Sequence, residues 1–225
     1  MTEEIDIGKN YQAVLKRVKE LNSNAVLVAV SKTKPVSDLK QAYDAGCRIF
    51  GENYVDEVIS KGPKFPDCGF YFIGHLQSNK VNHLCKVENL AMIQTITSEN
   101  LAKKINSRWP EPRPPLQVMI QVNTSGEAQK NGVNFSDIAP LAQFIINECP
   151  RLKFTGLMTI GEIGEAQRDF QVLIDQRNAL STVLNVPPES IALSMGMSAD
   201  YELALQMGAT YVRVGSTIFG ARNYV

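Results

Sequence analysis

Residues 191–216 read IALSMGMSADYELALQMGATYVRVGS, and this stretch decides the fold. Ile191–Leu193 is a short apolar run. Ser198-Ala199-Asp200-Tyr201-Glu202 opens a helical pattern that stops near Gly208, and Tyr211–Val214 is apolar again apart from Arg213. Parallel strands need a crossover connection, usually a helix, so strand, helix, strand within one short stretch is the unit of a parallel sheet. Runs that are apolar throughout, rather than alternating, suit a sheet covered on both faces.

The same unit recurs upstream. Apolar runs stand at Ala25–Val30, Arg48–Phe50, Phe70–Ile73, Ala91–Ile96, Leu116–Val122 and Phe154–Ile160. Amphipathic stretches lie between them: Asp38–Tyr43 ending at Gly46, one starting after a Ser98 N-cap, one opening at Ser136-Asp137-Ile138, and Gln167–Leu184. Eight strands in 225 residues predict an α/β fold, a (β/α)8 TIM barrel near the lower end of its usual size. A helix over about Ile5–Leu21 precedes the first strand, and little chain follows the eighth. The N-terminal helix is therefore expected to cover that gap in the outer ring. An open doubly wound sheet would carry a G-x-G-x-x-G or G-x-x-x-x-G-K-[ST] signature, and neither occurs. PEPRPP, 110–115, is the clearest loop, and Lys130-Asn131-Gly132 reads as a surface turn. No boundary or low-complexity tract divides the chain, so residues 1–225 are expected to form a single domain.

Composition narrows the function. Lys+Arg 23 balances Asp+Glu 23, which excludes a whole-protein basic field for nucleic acid or an anionic membrane. No apolar run is long enough to span a bilayer. The acidic, polar opening MTEEIDIGKNYQ is not expected to be a secretory signal. Cys47, Cys68, Cys85 and Cys149 are widely spaced without CxxC, so reduced thiols and a cytoplasmic location are expected rather than disulfides or zinc. With only His75 and His83, triad chemistry or a multi-histidine metal centre would have to rest on one of them.

Barrel chemistry sits at the C-terminal ends of the strands. The polar clusters there are Ser31-Lys32-Thr33-Lys34-Pro35, Gly51-Glu52-Asn53-Tyr54, Gly74-His75-Leu76-Gln77-Ser78-Asn79-Lys80, Asn123-Thr124-Ser125-Gly126, Ser194-Met195-Gly196-Met197-Ser198 and Gly215-Ser216. Glycines let backbone amides approach an oxyanion, hydroxyls add donors, and the loops after strands seven and eight are the recurring phosphate site of this fold. Ser198, Gly215 and Ser216 thus suit a phosphate, against the plainer reading of an N-cap and a turn. Lys32 follows an apolar strand. A lysine held away from water has a lowered pKa and can form an imine with an aldehyde, while a solvated lysine is the commoner fate. Lys34 is nearby, but Pro35 argues that the strand has ended. Asn53 is a ligand or the N-cap of a helix with Asp56 in its first turn. His75 contacts a ligand or is a partly buried, hydrogen-bonded histidine. Arg213, a charge inside an apolar strand, needs a partner or a ligand. Met158, Met195 and Met197 read as core filler.

Six segments together resemble the pyridoxal phosphate homeostasis proteins, a family that binds pyridoxal 5′-phosphate (PLP). They are residues 30–35 (VSKTKP), 50–54 (FGENY), 72–80 (FIGHLQSNK), 156–160 (GLMTI), 193–200 (LSMGMSAD) and 212–222 (VRVGSTIFGAR). They run in order over nearly the whole chain, and the loop after Ile160 looks shortened. The resemblance implies a modified (β/α)8 barrel like the N-terminal domain of alanine racemase, fold type III among PLP proteins. It implies an internal aldimine on Lys32 and phosphate contacts from Ser198, Gly215 and Ser216. It implies Arg213 opposite the pyridine nitrogen and Asn53 and His75 near the ring, with Ser194 in the same cofactor-binding set. A cation facing the pyridine nitrogen opposes its protonation and leaves the ring a poor stabiliser of carbanions. Alanine racemase adds a β-domain and a catalytic tyrosine from a partner subunit, and this chain is expected to lack that domain.

The expected function is therefore a non-catalytic PLP-binding protein that buffers the free aldehyde and delivers it to apo-enzymes that depend on PLP. The resemblance adds effects on amino-acid and keto-acid balance. A monomer is expected, because no long exposed apolar surface is readable. The rivals are a small PLP-dependent amino-acid racemase, a Schiff-base aldolase acting on a phosphorylated sugar without cofactor, and a scaffold.

Overall fold

Eight parallel strands close into a barrel in strict chain order, with the eighth pairing back onto the first. A computed structural model describes residues 5–126 and 131–221. Lys130 of the surface turn and Arg222 of the last matching segment lie outside the described residues. The strands are β1 Val26–Val30, β2 Ile49–Glu52, β3 Gly69–Phe72, β4 Leu90–Ile96, β5 Leu116–Gln121, β6 Leu152–Met158, β7 Ala192–Ser194 and β8 Tyr211–Val214. The helices are α1 Ile7–Leu21, α2 Val36–Asp44, α3 Val55–Lys61, α4 Val81–Leu84, α5 Glu99–Arg108, α6 Phe135–Glu148, α7 Ala166–Leu184, α8 Tyr201–Gln206 and α9 Ser216–Phe219. The expected (β/α)8 barrel is the one observed.

Strand side chains alternate, so each strand sends one row into the barrel and one outward to the helices. The inward rows meet as Val28, Tyr71, Ile73, Met92, Met119, Met158 and Tyr211, with Tyr71 and Tyr211 edge to face at 5.9 Å. The outward rows, including Leu27, Ala29, Phe50, Phe70 and Phe72, form the larger layer beneath the helices. A strand buried on both faces has no polar row to show, which is why the sequence runs were continuous.

The N-terminal helix does cover the gap in the ring. Asp6 caps α1 by accepting from the Lys9 amide at 2.9 Å, and Ile7, Tyr11, Val14 and Val18 form its buried stripe. Against α8, Arg17 meets Glu202 at 2.8 Å. Against α9, Asn10 Nδ2 donates to the Ile218 carbonyl at 3.2 Å.

Three boundaries differ from the sequence reading in ways that matter. The second strand continues past Phe50, because Gly51 and Glu52 pair with Tyr71 and Phe72; a glutamate there had read as loop. Helix α3 starts at Val55 with Tyr54 at the N-cap, so Asn53 is not the helix cap. Similarly, α8 starts only at Tyr201. Residues 198–200 form a turn in which the Asp200 carboxylate accepts from the Met197 amide at 2.7 Å, so Ser198 is not an N-cap either. All four cysteines are free and buried, and burial pushes the Cys47 thiol up to about 12, away from reactivity.

Candidate functional site

The inward rows carry polar residues as they reach the C-terminal mouth. Lys32 lies two residues beyond Val30, Asn53 two beyond Gly51, and Arg213 two beyond Tyr211. All three line one cavity of about 320 Å³, within the range of small-molecule sites. Ser198, Gly215 and Ser216 line it too, as does Lys34, whose ammonium donates to the Ala221 carbonyl at 2.8 Å. Val30, Ile73, Met158, Ile160 and Met197 supply apolar walls, which lower the local dielectric and strengthen polar contacts inside. Of the three methionines read as core filler, Met195 and Met158 are buried in the core, Met158 also lines the cavity, and the more exposed Met197 lines it too.

Lys32 is half-buried at the start of a turn whose next residue, Thr33, has φ 64°. That left-handed conformation costs a β-branched residue roughly 1–2 kcal/mol. The Glu57 carboxylate holds it by accepting from the Thr33 amide at 2.9 and 3.0 Å.

Arg213 is 3% exposed and forms the floor. Its guanidinium donates to Ser194 Oγ at 2.6 Å and to the Thr159 carbonyl at 2.7 Å. Both acceptors are neutral. Burial pulls the guanidinium down to about 10, with Asp200 opposing the shift, so it stays a cation at neutral pH. The Ser194 hydroxyl donates in turn to Gln94 Oε1 at 2.6 Å, which fixes its lone pair towards Arg213.

At the other end, Ser198 Oγ accepts from the amides of Gly215 at 3.2 Å and Thr217 at 3.4 Å. The loop after β8 thus turns its N–H groups towards a single oxygen beside the cavity. A Cβ at Gly215 would stand 3.3 Å from the Val30 carbonyl, so glycine lets this loop lie close against β1.

Asn53 lines the cavity with its Oδ1 buried and without a partner. An unsatisfied buried acceptor costs about 1–3 kcal/mol, and a donor on a bound ligand would remove that cost. Its backbone is pinned by Gly74, where a Cβ would fall 2.1 Å from the Asn53 carbonyl oxygen.

The structure thus gathers Lys32, Asn53, Ser198, Arg213, Gly215 and Ser216 around one cavity. Ser194 lies beneath it and touches it only through Arg213. His75 is exposed and outside the lining. Sequence reasoning missed Thr159, whose carbonyl accepts from Arg213, and Gln94, which holds Ser194; both pairings join residues far apart in the chain. It also missed the buried group of Glu52, Lys61 and Glu57 beside Lys32. Glu57 and Lys61 are four apart on α3, a spacing that reads as an ordinary surface pair. A primary amine, an apolar slot, a buried cation and a cluster of amide and hydroxyl donors fit a phosphorylated aldehyde with a flat ring.

Comparison with known proteins bears on the family and the fold. The family model "Alanine racemase, N-terminal domain" matches residues 6–223. A pyridoxal phosphate homeostasis protein of Bos taurus is 47% identical over 227 residues, covering 95% of this chain and 83% of its own length. One of Escherichia coli is 41% identical, covering 88% of this chain and 86% of its own. The structure of PipY from Synechococcus elongatus with PLP bound superposes with a TM-score of 0.80 at 30% identity, over 95% of this chain and 100% of that one. Alanine racemase from Corynebacterium glutamicum shares the fold, with a TM-score of 0.70 at 16% identity, over 98% of this chain and 61% of its own.

Proposed function

This chain belongs to the family of pyridoxal phosphate homeostasis proteins, and from that premise we propose that it holds PLP reversibly through Lys32 and takes part in intracellular PLP homeostasis. The observation that carries the reading is the convergence of Lys32, the buried Arg213 and the donors at Ser198, Gly215 and Ser216 on one cavity. When bound, PLP supplies an aldehyde that condenses with a primary amine with loss of one water, a bond that hydrolysis reverses.

The chain's own residues then divide the work. Ser198, Ser216 and the amides of the loop after β8 bind the phosphate. Asn53, with its side-chain amide at the cavity wall, hydrogen-bonds a polar substituent of the ring. The apolar walls exclude water from the ring faces. Arg213, held by Ser194 and Thr159, is a buried cation that disfavours a second positive charge beside it. The site is therefore poor at stabilising a carbanion, which favours storage and delivery over turnover. His75 lies outside the lining in this conformation and takes no role here.

The finer reading is that the protein buffers free PLP and hands it to apo-enzymes, with consequences for amino-acid and keto-acid balance. It acts as a monomer in the cytoplasm. Four buried free thiols support the second point. No helix among the described residues is long and apolar enough to cross a membrane.

The test is an absorption spectrum of the purified protein before and after borohydride, with the modified peptide located by mass spectrometry. A band that bleaches, with the added mass on Lys32 and none in Lys32→Ala, is the expected result. A reducible adduct that persists in Lys32→Ala would remove Lys32 as the anchor. Turnover of alanine by the wild-type protein, lost in Lys32→Ala, would replace the carrier reading with a small racemase.

A further inference from the structure

Behind Lys32, on the outward face of the barrel wall, lies a buried ionic group that the PLP site does not use. Glu52 ends β2, while Glu57 and Lys61 stand one turn apart on α3. The side chains of Glu52 and Lys61 are 0% and 5% exposed, and that of Glu57 is 22% exposed. The Lys61 ammonium donates to Glu52 Oε1 at 2.8 Å, to the Ser31 carbonyl at 2.8 Å and to Glu57 Oε2. Its three protons thus meet three acceptors. The Ser31 hydroxyl donates to Glu52 Oε1 at 2.6 Å. Glu57 accepts from the Thr33 amide through both oxygens.

The bonds that leave the cluster end on the residues flanking one position. Ser31 is held through its carbonyl and its hydroxyl, and Thr33 through its amide. Lys32 between them is clamped at both of its peptide bonds. Thr33 sits at φ 64°, a conformation that a threonine rarely adopts and that must be held from outside. Burying two carboxylates and an ammonium is costly, and a packed apolar group often serves stability as well. The arrangement is better explained by what it fixes.

We propose that Glu57, Lys61 and Glu52 are positioning residues for Lys32: through Thr33 and Ser31 they clamp the turn after β1 so that the Lys32 amine meets the aldehyde of a PLP already seated by its phosphate. The inference rests on Lys32 being the anchor. It adds that the backbone around Lys32 is set by a buried ion cluster on the opposite face of the strand, with no contact to the ligand.

The consequence is a selective one. Seating the phosphate and ring depends on Ser198, Gly215, Ser216 and Arg213, which the cluster does not touch. Forming the covalent link depends on where the amine stands, and misplacement by about 1 Å is costly for a reacting pair. Loss of the clamp should therefore weaken PLP far more than a ligand of the same shape without an aldehyde.

The experiment compares PLP with 4′-deoxypyridoxine 5′-phosphate, which keeps the ring and phosphate but cannot condense with an amine. The variants are Glu57→Ala, Glu57→Ala with Thr33→Asn, and Lys32→Ala. In Glu57→Ala, the PLP dissociation constant should rise by about tenfold or more, the worth of one charge-assisted hydrogen bond. Affinity for the deoxy analogue should stay within about twofold on the same scale. Asparagine adopts positive φ more readily than threonine, so adding Thr33→Asn should restore most of the PLP affinity. Equal losses for the two ligands, or a lowered melting temperature with unchanged PLP affinity, would reduce the cluster to a structural role and overturn the proposal. Lys32→Ala separates the two readings. A reducible adduct surviving in it overturns the anchor and this inference together. Its loss in Lys32→Ala, with no selective loss in Glu57→Ala, overturns this inference alone.

Discussion

Glu52 is the residue whose environment departs furthest from its sequence context. Burial pushes its carboxyl up to about 7, with Lys61 and the Ser31 hydroxyl opposing and Glu57 adding to the rise. Its Oε2 has no partner, so nothing on that oxygen offsets the cost of burying the charge. An acid whose folded pKa lies above its unfolded value binds its proton more tightly when folded. Its stabilising effect is fully present below the ordinary value of 4.5 and is lost as pH rises through about 7. The wild-type protein should thus lose stability over that window, read as a falling urea midpoint. Glu52→Gln, which keeps an Oε1 acceptor and cannot ionise, should show a flatter profile across the same range. An equally steep profile in the variant would assign the dependence to another group. Arg213 is the opposite case. Burial lowers it, yet not far enough to discharge it near neutral pH, so it remains a fixed cation under the ring site.

At the scale of elements, the site depends on how closely neighbouring strand ends approach. Gly74 follows β3 by two residues, and its carbonyl accepts from Thr95 Oγ1 of β4 at 2.6 Å. A methyl group added there would overlap the Asn53 carbonyl, and backbone on both sides leaves nothing flexible to give way. Gly74→Ala should lower the unfolding free energy by about 2 kcal/mol or more, as overpacking against backbone does. It should also weaken PLP binding by shifting Asn53. Urea unfolding and a PLP titration of the same preparation check both, and an unaltered titration would detach Asn53 from the site. The elements whose boundaries the sequence reading missed are also at the mouth. Strand β2 runs on through Gly51 and Glu52 because β3 pairs with them, although neither residue favours a strand on its own. Pairing partners, rather than local preference, set where a central strand ends.

For the whole molecule, β8 pairs with β1 to close the strands, and α1 closes the layer of helices outside that seam. Two kinds of contact hold it. Val18 is fully buried, whereas Arg17 and Glu202 pair with side chains 42% and 45% exposed. Exposed ion pairs contribute about 0–1 kcal/mol, and deleting buried methyl groups costs more, about 2 kcal/mol for a valine cut to alanine. Val18→Ala should therefore destabilise the barrel clearly more than Arg17→Ala, and only the Arg17 effect should shrink in high salt. Equal effects in urea unfolding would mean that the seam is held by charge. The sequence by itself determined the barrel, because eight apolar runs separated by helical patterns leave few other ways to bury both faces of each strand. It also pointed to Lys32, Asn53 and Arg213, as polar residues within or just past the apolar runs. Only the tertiary structure decided what holds them. Ser194 and Thr159 reach Arg213 from other strands or strand ends, Gln94 holds Ser194 from a third, and Lys61 reaches Ser31 from a helix thirty positions away in the chain. Periodicity along a chain reports which face a side chain occupies. It carries no record of which distant polar group waits on that face, because that pairing exists only once the barrel has closed.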